Sequence, residues 1–185
     1  RLGNVSKRAI GYAPLRLLLG GCIIALAVWG LGTQRYIGLG IPEIVRAFHE
    51  PMAPWDFLGK LCFTAVSLGT GFKGGEVTPL FYIGATLGNA LAPLLHLPFP
   101  MLAGIGFVAL FAGASNTPIA STLMAVELFG ADIAPLAAIG CITAYLFSGH
   151  TGIYHAQRIG HGKHDRHSAG LEDTLRLADL QARRR

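Results

Sequence analysis

The chain has 185 residues, of which 52% are hydrophobic and 14% charged, with a mean hydropathy of +0.50. Soluble domains carry about 25% charged residues, so a water-soluble domain is excluded and an all-α polytopic membrane protein is expected. The formal charge of +5 gathers at the two ends, in RLGNVSKR and HGKHDRHSAGLEDTLRLADLQARRR; no basic face is interleaved with aromatics, which argues against a nucleic-acid partner, and the positive-inside rule places the tail in the cytoplasm.

Leu80–Val126 and Ile133–Gln157 contain no Asp, Glu, Lys or Arg. A membrane-spanning helix needs about 20 apolar residues, so several spans are expected. Cys22, Cys62 and Cys141 form neither a disulfide framework nor a zinc site and are read as buried small hydrophobes. No signal peptide is visible ahead of the first span, and the chain reads as a fragment.

In chain order, Pro14–Gly32 is the first span. Arg16 is expected to snorkel to the headgroups, and Gly20, Gly21 and Gly30 are expected helix contact points. YIGLGIPEIVRAFHEPMAPWDF reads as an interfacial loop with a short helix over Ile41–Phe48 and Trp55 at headgroup level. Leu58–Leu68 is short for a span and runs into glycines, so it is expected to stop within the bilayer. Irregular backbone at that depth is tolerated where protein buries it or it lines a cavity, and transporters aim such interrupted helices at ions.

Gly69–Gly84, GTGFKGGEVTPLFYIG, is the stretch around which the chain is organised. Gly69, Gly71, Gly74 and Gly75 permit φ > 0 and leave backbone N–H groups bare. Thr78 is expected as N-cap and Pro79 as the first helical residue. The amides of Glu76 and Val77 then lie at the positive end of a helix over Thr78–Leu95, facing a small anion. Phe99–Gly113 forms the next helix, and Asn116 and Thr117 cap one that starts at Pro118 and runs to Phe129. Ile133–Phe147 follows, and a last, more polar helix lies in the tail at Leu171–Arg185. Six or seven spans and half-spans of unequal length argue against a simple bundle.

GKLCFTAVSLGTGFKGGEVTPLFYIGATLGNALA, FAGASNTPIASTLMAVELF and GIYHAQRI resemble the second half of the CLC family of anion channels and transporters, over Pro14–Ile159. The resemblance implies one of two inverted repeats, with residues 1–13 before the membrane domain, 14–159 within it and 160–185 as a basic cytoplasmic tail. It implies a homodimer in the full-length protein, in the inner membrane of a bacterium. Gly75, Val77 and Pro79 match the family's GxFxP element, and Tyr154 matches the tyrosine whose hydroxyl contacts the central anion. The implied anion-binding residues are Gly75, Glu76, Val77, Thr78 and Tyr154.

Val77 stands where chloride-conducting branches carry Phe, and Glu76 replaces an apolar residue. Both resemble the branch that exchanges fluoride for protons. Glu76 is then the proton-coupling candidate: its protonated form can donate a hydrogen bond to the anion and relay the proton. The serine-type loop and gating glutamate of the family's first half are absent, so the chain is expected to be the C-terminal half of a longer protein.

Other readings stand beside these. Glu76 can instead pair with Lys73, and Tyr154 can belong to an interfacial aromatic belt. Glu127 is read as a buried, hydrogen-bonded structural acid. His150, His155, His161, His164 and His167 read as a solvated basic surface and not a metal site, and no cofactor is expected. An intramembrane enzyme would need H-E-x-x-H or G-x-S-x-G, and Ser67, Ser115 and Ser121 have no evident His partner. A chloride channel or chloride/proton antiporter is the nearest alternative; a non-transporting scaffold leaves the glycine loop unexplained.

Overall fold

The computed structural model describes residues 12–149, 152–154, 157–159 and 175–176. Seven α-helices follow in order: α1 Ala13–Leu31, α2 Ile41–Ala47, α3 Asp56–Thr70, α4 Val77–Leu95, α5 Phe99–Ser115, α6 Pro118–Phe129 and α7 Ala134–Phe147, with a 3-10 turn at Ala131–Ile133 before α7. Two compact units divide the chain, Arg1–Ala103 and Gly104–Arg185.

In the first unit α3 packs on both α1 and α4, and α2 packs on α4. Small residues set these approaches. A Cβ at Gly20 in α1 would overlap the Thr70 side chain, and one at Gly88 in α4 would overlap the carbonyl of Leu102. Gly21 lies near Phe72, whereas Gly30 faces open space. Asn89, on α4, is 1% exposed; its Nδ2 donates to Ala47 O at 2.7 Å and Glu50 O at 2.8 Å, and its Oδ1 accepts from Met52 N at 2.9 Å. One side chain thus satisfies three backbone groups at and just after the end of α2, where burial would otherwise leave them unpaired.

In the second unit α6 packs on α7 around Val108, Ala112, Ala125, Ile133, Ala137 and Cys141. Phe107 meets Phe129 edge to face at 5.9 Å between centroids. The break at SNTP forms as expected. Asn116 takes a left-handed φ of 59°, Thr117 N donates to Ala112 O at 3.3 Å, and Pro118 opens α6 from an N-cap at Thr117. The Thr117 hydroxyl does not cap the helix; it shares a 2.6 Å hydrogen bond with Ser115 Oγ.

Three expectations are corrected here. Cys22 and Cys62 are exposed and only Cys141 is buried, because no described residue covers the faces of α1 and α3 that carry them. Glu127 is exposed, not buried. Arg158–Ile159 pairs antiparallel with Leu175–Arg176, so those two tail residues are strand-paired where a helix over Leu171–Arg185 was expected; the remainder of the tail lies outside the described residues.

Candidate anion site

Helix α3 ends in a Schellman motif. Gly71 is left-handed at φ 100°, its N–H donates to Leu68 O at 3.2 Å, and Phe72 N donates to Ser67 O at 3.1 Å. Of the four loop glycines only Gly71 uses a positive φ; Gly69 lies inside α3, and Gly74 and Gly75 act by lacking a side chain. A Cβ on either Gly74 or Gly75 would meet nothing within 4 Å, so the backbone there faces open space.

Helix α4 begins two residues earlier than expected. Glu76 occupies the N-cap position at φ −88°, ψ −18° without a side-chain cap bond, and Val77 is the first helical residue. Thr78 and Pro79 fall inside the first turn. Proline fits there because its missing N–H is one of those a helix start leaves unpaired anyway. The amides of Glu76, Val77 and Thr78 therefore point out of the helix start with the positive end of the backbone dipoles behind them. Gly75, Glu76, Val77 and Thr78 form one contiguous helix entrance in the first unit.

Glu76 and Lys73 are both exposed. The ion pairs among the described residues join Arg35 and Arg46 to Glu43, Glu50 and Asp56, and none joins Lys73 to Glu76. The pairing of Glu76 with Lys73 is therefore not realised. Tyr154 belongs to the second unit. It is 47% exposed and follows Ile153, whose N–H donates to Ala114 O at 2.9 Å, so the end of α5 holds the residue that precedes it.

Several residues that position the loop escaped the reading from sequence. Arg16 does not snorkel: its Nε donates to Thr70 O at 3.1 Å, placing a cation on the last turn of α3, where helix carbonyls favour positive charge. Replacing Arg16 by Gln is expected to lower stability by about 1.5–3 kcal/mol, the range for one hydrogen bond from a charged group, read as a lower thermal midpoint in detergent with Arg16→Lys falling between; an unchanged midpoint contradicts the clamp.

On the other side, Asp56 and Lys60 are 1% and 2% exposed. Tyr36 Oη donates to Asp56 Oδ1 at 2.7 Å, and Arg35 Nη1 lies 3.8 Å from Asp56 Oδ2. Lys60 Nζ donates to Gly38 O at 2.7 Å and Tyr36 O at 3.1 Å, 5.0 Å from the Tyr82 ring centroid. Burial, and then the bond to Asp56, push the Tyr36 phenol up to about 12, so it stays protonated as the donor. The i,i+4 spacing of Asp56 and Lys60 at the head of an apolar helix was the available signal.

An architecture that is helical apart from one two-residue strand pair, with helices of unequal length and a break at a glycine loop, defines a polytopic membrane protein built from discontinuous helices. Helices α1 and α4 are long and apolar enough to cross a membrane by length and composition. The family described as voltage gated chloride channel matches residues 2–149. The chain belongs to this family, the CLC family of integral membrane proteins. It is 68% identical over 187 residues to a chloride/fluoride channel protein of Pseudomonas syringae pv. tomato, covering 98% of this chain and 41% of that protein. It is 34% identical over 150 residues to the voltage-gated ClC-type chloride channel ClcB of Escherichia coli O9:H4, covering 73% of this chain and 35% of that one. The crystal structure of a CLC-type fluoride/proton antiporter superposes with a TM-score of 0.79 at 36% identity, over 83% of this chain and 39% of that chain. The chain thus spans about two fifths of the length of these relatives.

Proposed function

We propose that residues 14–159 form the C-terminal repeat of a CLC-type halide transporter that exchanges fluoride for protons and exports fluoride. The observation that carries this reading is the run Gly74–Pro79, where an open glycine backbone leads into a helix start with Glu76 at the N-cap. A backbone-amide pocket suits a small anion that needs close donors. A carboxylate at that place suits the anion only when protonated, which links anion and proton. The relative named as a chloride/fluoride channel and the fluoride/proton antiporter fold support the same choice.

In this reading Gly75, Glu76, Val77 and Thr78 are anion-binding residues of the first unit, and Tyr154 is an anion-binding residue of the second. The transporter is a homodimer in the inner membrane of a bacterium, with the tail cytoplasmic, and it is not an enzyme. Ser67, Ser115 and Ser121 each donate to a carbonyl one turn back in their helices, which engages their hydroxyls in helix bonds and not with a base. A chloride-conducting reading draws on the relatives named as chloride channels.

The test is halide efflux from liposomes holding the complete transporter, with fluoride and chloride electrodes side by side and internal pH recorded. Fluoride efflux coupled to proton uptake, with chloride much slower, supports the antiporter; comparable chloride efflux moves the function to the chloride branch. Tyr154→Phe, which keeps the ring and removes the hydroxyl, is expected to slow fluoride efflux about tenfold, near the value of one hydrogen bond to a charged group. An unaltered rate returns Tyr154 to the aromatic belt.

A further inference from the structure

We propose that Lys73 recruits the anion to the glycine loop, an inference that rests on the halide-transport reading above. A cavity of about 270 Å³ in the first unit is lined by Tyr36, Gly38, Ser67, Lys73, Gly74 and Gly75, with Ile24, Phe63 and Leu68 among its apolar walls. Lys73 is the one charged side chain on that lining. The cavity therefore joins a cation directly to the open backbone of the loop.

The acids of this unit leave the ammonium unpaired. Glu43 and Glu50 lie against Arg46, and Asp56 is held by Tyr36 and Arg35. Glu76 makes no ion pair with Lys73. One wall is rigid: Lys60 ties down the carbonyls of Tyr36 and Gly38, and the Tyr36 ring packs on Gly59. Gly74 and Gly75 add backbone to the lining. A single-sign charge in a low-dielectric concavity raises the local concentration of counter-ions. A lysine ammonium, a compact point charge on a flexible stem, suits a small mobile anion better than the planar fork of arginine suits it. The charge also offsets that of Glu76 while the carboxylate is ionised.

Lys73 in this role acts on capture and not on the step that moves the anion. The experiment is fluoride efflux from liposomes containing the complete transporter, wild type against Lys73→Gln, Lys73→Arg and Lys73→Glu, at low ionic strength and at high concentration of an impermeant salt. Lys73→Gln is expected to raise KM for fluoride about threefold to tenfold at low salt, the low end of what electrostatic focusing supplies, with kcat within about twofold. Lys73→Arg raises KM less than Lys73→Gln does, and Lys73→Glu raises it further. At about 1 M salt, where the screening length falls to about 3 Å, the variants converge. An unchanged KM at low salt overturns the inference, as does a fall in kcat at every salt concentration, which marks a structural lysine. A wild-type protein that moves neither fluoride nor chloride overturns the transport reading and the role of Lys73 with it.

Discussion

Glu76→Gln in the complete transporter is expected to reduce proton-coupled fluoride movement by about 10²-fold, the low end of what a positioned acid or base contributes, with protein yield unchanged. Glutamine matches glutamate in shape and resembles its protonated form, since it keeps a hydrogen-bond donor at the anion. It cannot release or take up a proton. The expected signature is therefore split: fluoride binding persists while pH-driven efflux fails. Because Glu76 makes no ion pair and no cap bond, its removal leaves no partner behind, and a folding defect is not an expected route to lost activity. Efflux with the internal pH recorded decides the matter. Unchanged coupling in Glu76→Gln removes the residue from the mechanism and makes it an ordinary surface carboxylate.

What the sequence disclosed was local. The break after α3, the left-handed Gly71, the proline-led start of α6 and the near-correct bounds of every membrane helix follow from residues adjacent in the chain, because glycine and proline act on their own φ and hydrogen bonds. The start of α4 was displaced by two residues for the same kind of reason. Thr78 and Pro79 suit the whole first turn, so their chemistry does not single out the cap.

What depends on neighbours was not legible. Arg16 near the end of an apolar helix reads as a snorkelling residue until α3 is placed beside it and its guanidinium finds Thr70 O. Cys22, Cys62 and Glu127 sit in apolar runs, yet which face of a helix a neighbour covers is a tertiary fact. Hydropathy in a membrane protein does not mark the protein interior, since lipid is as apolar as the core. Asp56, in the stretch that reads as an interfacial loop, proves with Lys60 to be a buried staple for the loop at Tyr36–Gly38.

The largest expected loss of stability falls at another buried polar residue. Asn89→Leu nearly preserves side-chain volume and removes all three hydrogen bonds, leaving Ala47 O, Glu50 O and Met52 N without their partner. Each buried backbone group stranded in this way costs about 1–3 kcal/mol, and water is scarce as a substitute near the bilayer. A total of about 3–5 kcal/mol is a large share of the roughly 5–15 kcal/mol that holds a domain folded. The expected readout is a thermal midpoint about 10 °C lower in detergent, with a smaller monodisperse fraction. Asn89 lies about 18 Å along α4 from the helix start, so the molecules that do fold are expected to move fluoride at the wild-type rate. That separates Asn89 from Glu76: one substitution lowers the number of folded transporters, the other the coupling of each. An Asn89→Leu protein of wild-type stability would mean that the segment after α2 finds other partners for its backbone, and that its contact with α4 does not depend on this side chain.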